Sequence, residues 1–122
     1  MGRAATPQEV YDAIFEAGIP ASYRWWEAFV PSWGGDEVPD YWVVEVHATE
    51  DPDHNPDDTD VFRVSRVGIR KAAQIIAGDP AYHPSLRNEC TNLLFDAESL
   101  DLDANDADAI LQVAVYGRVA FG

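Results

Sequence analysis

The hydrophobic period of the chain switches at Ser65, and that switch limits the architectures open to it. Over residues 41–48 the period is two: Trp42, Val44 and Val46 fall on one side, Tyr41, Val43, Glu45 and His47 on the other. Residues 61–65 read as another short strand. From Ser65, a ready helix cap, the period is 3.6: Ile69, Ala72, Ala73 and Ile76 form a stripe to about Ala77, and Arg66, Arg70, Lys71 and Gln74 form the polar face. A period of two specifies a half-buried strand and 3.6 an amphipathic helix.

The rest of the chain fits around these elements. Thr6, Pro7 and Glu9 make a capping box with proline at the first helical position. Val10, Ala13, Ile14 and Ala17 supply the apolar face, and Gly18 and Pro20 a stop. Residues 22–30 alternate and are rich in aromatics, which suits a strand, with a short helix as the alternative. The segment 31–40, with Gly34, Gly35 and Pro39, reads as a loop. So does the Pro- and Asp-rich stretch 49–60. Pro84 or Ser85 opens a helix over 85–95 with Leu86, Cys90, Leu93 and Leu94 inward. Asn105 is a candidate cap for a last helix over 106–116, with Asp106 and Asp108 complementing its dipole. Gln112 is its only polar residue beyond Asp108, so burial on most sides is expected, with Gly117 as the stop. The expected fold is α+β: an N-terminal helix, a three-stranded antiparallel meander, then three helices on one sheet face. At 122 residues and 47% apolar content, one domain spanning 1–122 is expected.

Charge is the second constraint. Eight Lys+Arg against 22 Asp+Glu give a net charge of -14. A total of this size repels phosphate backbones and anionic membranes, so neither nucleic acid nor membrane is an expected partner. Seven arginines to one lysine also fit a G+C-rich coding sequence, so distribution matters more than the total. Residues 36–60 hold ten acids and no base; residues 91–122 hold six acids and Arg118; residues 61–90 carry a net charge of +3. The positive segment can meet an acidic block in the same molecule or in a second copy, so a homodimer is possible.

No motif fixes a reaction. Asp51, Asp53, Asn55 and Asp57 have the odd-position oxygens of a calcium loop, but Pro56 replaces the turn glycine and Phe62 the final glutamate. The run Asp101, Asp103, Asn105 departs in the same way. His47, His54, His83 and Cys90 lack zinc-site spacing. Cys90, the only thiol, excludes an intramolecular disulfide and lies on an apolar stripe. No catalytic residue, metal or cofactor is therefore assigned. No apolar run reaches membrane-spanning length and no leader is visible, so a cytoplasmic address is expected. Trp25, Trp26, Trp33 and Trp42 cannot all face one core if they alternate on strands. An aromatic second sheet face, with Arg24, Glu45 and His47, would serve a small ligand, a partner or a second copy.

The terminal run from Asp106 and Asp108 through Gln112 and Tyr116 to Gly117 and Gly122 resembles the C-terminus of small uncharacterised proteins of actinobacterial bacteriophages and prophages. Ala17-Gly18-Ile19 followed by residues 23–26 resembles their opening. The resemblance implies a mobile-element origin and a fold, and no activity. The expected function is that of a non-enzymatic acidic interaction protein binding a host protein with a basic surface, in its sharpest form by mimicking DNA. A small-molecule binder or enzyme using the aromatic face is the alternative. The expected partner-binding residues are Asp51, Asp53, Asp57, Asp58, Asp60 and Trp25.

Overall fold

A computed structural model describes residues 2–16, 26–35, 37–48 and 60–119. Its elements are α1 (Pro7–Phe15), β1 (Trp26–Pro31), β2 (Val43–Ala48), β3 (Asp60–Ser65), α2 (Arg66–Ala77), α3 (Pro84–Phe95) and α4 (Ala104–Tyr116). A single 3-10 turn at Ala97–Ser99 joins α3 to α4. This is the α+β arrangement that the change of period predicts.

The three strands form one antiparallel sheet in the order β1-β2-β3. Val44 faces Val64, Val46 faces both Phe29 and Phe62, and Ala48 faces Asp60. The pleat sends Val44, Val46 and Ala48 into the core and leaves Val43, Glu45 and His47 half-buried on the far face. A one-residue slip would reverse that assignment, so the valines fix the register. Tyr41, expected in β2, lies in a turn and is 90% exposed. Trp42 precedes the strand yet keeps its inward side and is fully buried. Its indole Nε1 donates to the Pro7 carbonyl at 2.8 Å, which ties the sheet to the start of α1. Tyr11 and Phe15 meet Trp42 edge-on at that junction, Trp33 meets Tyr11 and Phe29 meets Phe15 in the same way, and Tyr11 and Phe15 are tilted against each other. A segment expected to be pure loop gives up Asp60, which begins β3. Residues 49–59 and 22–25 lie outside the described residues, as does the stop expected at Gly18.

The helices cover one sheet face. The small residues Ala72 and Ala73 let α2 approach α3 and α4 closely, with Ile69 and Ile76 filling the space beside them. Leu86, Cys90, Leu93 and Leu94 answer from α3, and Ile110, Leu111 and Val113 from α4. Val10 and Ile14 complete the core from α1, which packs on α4. Burying each such side chain contributes about 1.5–3 kcal/mol. The caps are those the composition suggests, with one exception. Thr6 and Glu9 form both bonds of the capping box, and the Ser65 hydroxyl accepts from the Gly68 amide at 3.3 Å. Gly117 adopts φ 78°, the left-handed stop that glycine allows without strain. The exception is α4, which begins at Ala104 under Asp103, not Asn105: the Asp103 carboxylate accepts from the Asp106 amide at 2.7 Å. Asp108, expected to serve the helix dipole, is instead buried and accepts from the Gln112 amide at 2.7 Å. No helix among the described residues is long and apolar enough to cross a membrane.

Candidate functional site

The N-terminal segment builds the site by lying along the end of α3. The Ala5 amide donates to the Leu93 carbonyl at 3.0 Å, and the Ala97 amide donates to the Arg3 carbonyl at 2.9 Å. At Gly2 a Cβ would overlap the Phe95 carbonyl oxygen, so the approach there requires glycine. These contacts set α1 beside residues 97–102 and leave a shallow groove between them of about 340 Å³. Ala13, Ala97, Leu100 and Leu102 make its apolar part; Glu9, Asp12 and Asp101 make its acidic part.

Each acid is held by backbone or neighbours. Glu9 takes a bidentate bond from the Arg3 guanidinium, at 2.6 and 3.0 Å, and accepts the Thr6 amide at 3.0 Å. The Arg3 bond first, and the Thr6 amide second, hold its carboxyl down to about 2. Glu9 is thus committed to structure. Asp12 is exposed on α1, where Gln8 donates to it at 2.9 Å. Asp101 is exposed too, and its position is fixed from behind: the Glu89 carboxylate accepts the Asp101 amide at 3.0 Å and the Asn92 amide at 3.2 Å. Two exposed carboxylates therefore share the groove with these apolar side chains, without an arginine or lysine partner among the described residues. That combination suits a segment carrying both apolar and cationic side chains.

The expected partner-binding residues lie elsewhere. Asp60 is exposed at the start of β3, outside the groove lining. Asp51, Asp53, Asp57, Asp58 and Trp25 lie outside the described residues, and so does Arg24. Glu45 and His47 share the sheet face away from the helices, half-buried and 3.7 Å apart, beside Val30, Val61 and Arg63. The described aromatic residues Phe29, Trp33, Trp42 and Phe62 pack with the core instead. Cys90 is fully buried, and desolvation, then Asp106 and Glu89, push its thiol up to about 12. A thiol in that state is a poor nucleophile at neutral pH. His83 caps α3, its Nδ1 accepting from the Ser85 amide at 3.1 Å. Among the described residues no group of three or more His, Cys, Asp or Glu side chains is placed to hold a metal ion.

No protein-family model, curated protein or solved structure matches the chain. The groove and its charges are the ground for a functional reading. Sequence reasoning passed over it, because Asp12 reads as an ordinary exposed helix residue and Asp101 as one of many acids before α4. The single legible hint is the leucine pair Leu100 and Leu102 set between acids in a loop.

Proposed function

We propose that this chain is a non-enzymatic acidic interaction protein, and that the groove between α1 and residues 97–102 takes a basic, partly apolar segment of a partner protein. In this reading the partner is a host protein and the chain a mobile-element accessory protein, which the resemblance of the C-terminal run to phage and prophage proteins supports. The supporting observation is a groove in which Leu100 and Leu102 meet Asp12, carried on α1, and Asp101, whose amide is held by Glu89. Acids on rigid supports offer a defined target to cations, whereas acids on a free loop lose entropy when they engage one. A residue able to donate from a long stem, such as lysine or arginine, can lay its methylenes on the leucines and its head on a carboxylate.

The test is calorimetric titration with a short amphipathic lysine–leucine helix. Binding should weaken as salt rises, because surface attraction is screened over about 8 Å at physiological ionic strength. Exposed pairs contribute about 0.2–1 kcal/mol each, so Asp12→Asn with Asp101→Asn should weaken binding roughly twofold to thirtyfold. Equal affinity for the double variant and the parent would sink the reading.

A further inference from the structure

α2 presents outward a stripe of the composition that the groove suits. Val67 and Ile75 are 66% and 43% exposed, and Lys71 stands between them at i+4 spacing. Arg66 and Arg70 lie together along one side of the stripe and are half-buried. Among the described residues none of these three cations lies within ion-pair distance of a carboxylate. Asp40 lines the same surface pocket as Arg66 and Val67 without an ion pair to Arg66.

We propose that a second copy of this chain occupies the groove, with Arg70 and Lys71 of its α2 against Asp101 and Asp12, and Val67 and Ile75 over Leu100 and Leu102. The inference rests on the groove being a docking site, and names its occupant when no other basic protein is present. Charge and polarity match on both sides: α2 presents two exposed apolar residues with Lys71 between them and Arg66 and Arg70 beside them, and the groove presents leucines together with carboxylates. The match lies between copies. No residue of α2 lines the groove, and the opposite side of α2, with Ile69, Ala72, Ala73 and Ile76, is buried against α3 and α4. Two chains of charge -14 repel at long range, but at physiological ionic strength screening leaves the local pairs to decide. A partner with a stronger basic segment would compete for the groove and separate the copies.

Sedimentation of the full chain at physiological salt, over a concentration series, tests this. The parent should associate reversibly. Arg70→Glu with Lys71→Glu, and separately Asp12→Lys with Asp101→Lys, should each weaken association roughly tenfold or more. All four positions are on the surface, and circular dichroism checks that both variants keep the parent's helix content. Mixed together, the two variants should form a one-to-one complex, since the reversed stripe now fits the reversed groove. A monomeric parent at millimolar concentration, a reversed variant that associates like the parent, or a mixture that stays monomeric would each overturn the proposal. The lysine–leucine helix separates its failure from that of the groove. If that helix binds the parent and not Asp12→Lys with Asp101→Lys, while the parent stays monomeric, only the second copy is excluded. If the helix fails to bind as well, the groove reading falls with it.

Discussion

Glu9 shows how much one carboxylate can hold. It closes the α1 capping box on Thr6 and pairs with Arg3, so it fixes the segment that forms one side of the groove. Its folded-state pKa lies below the ordinary 4.5, at about 2. A depressed carboxyl contributes stability above its unfolded value and loses it as pH falls through the folded one. Urea unfolding between pH 5 and pH 2 should therefore show a loss in the parent that Glu9→Gln reduces. The effect is small, because solvent screens this exposed pair. Thr6→Ala removes the other half of the box and should cost about 1 kcal/mol at neutral pH, read from the shift in urea midpoint. Cys90 makes a different point. With its thiol pushed up to about 12 inside the core, iodoacetamide at pH 8 should leave it intact in the native protein and modify it in urea. Labelling at equal rates in both conditions would contradict its burial.

Among the elements, α2 divides most sharply into two roles. Ile76 is fully buried, so Ile76→Ala should cost about 2–5 kcal/mol through lost contacts and a cavity. Val67 is 66% exposed, so Val67→Ser should change stability by no more than about 0.5 kcal/mol while weakening association between copies. Thermal melting and sedimentation together measure both. The inward stripe was legible in the sequence because helical spacing alone decides it: Ile69, Ala72, Ala73 and Ile76 fall where 3.6-residue periodicity puts them. The caps at Thr6 and Ser65 and the stop at Gly117 were legible because few residues satisfy those geometries. The start of α4 was not. Asp103 and Asn105 are equally good caps by chemistry, and the choice depends on how the 3-10 turn delivers the chain to α4. Asp108 was misread for a similar reason. A carboxylate in a first turn normally faces water, and only the packing of α4 against its neighbours turns this one inward.

For the whole molecule, the sequence showed that charge is divided into blocks but not where the blocks meet. The groove joins Asp12 from a mildly acidic stretch to Asp101 from a strongly acidic one, and no local pattern connects the two. The imbalance also bears on stability. Like charges repel more strongly in the folded chain than in the expanded one, and salt relieves this. Raising sodium chloride from about 10 mM to about 150 mM shortens the screening length from about 30 Å to about 8 Å. Melting should rise by roughly 5 °C if the relief is about 1 kcal/mol. A melting temperature that falls over that range would mean that attractive pairs dominate instead. The bonds from Ala5 to Leu93 and from Arg3 to Ala97 have a temporal consequence. On the ribosome α1 emerges well before its neighbours α4 and residues 97–102. At about 5–20 residues per second, Val10 and Ile14 wait roughly 5–20 s before their cover is synthesised. The groove thus cannot exist on a nascent chain until residues 97–102 have followed α1 off the ribosome, and binding can begin only then.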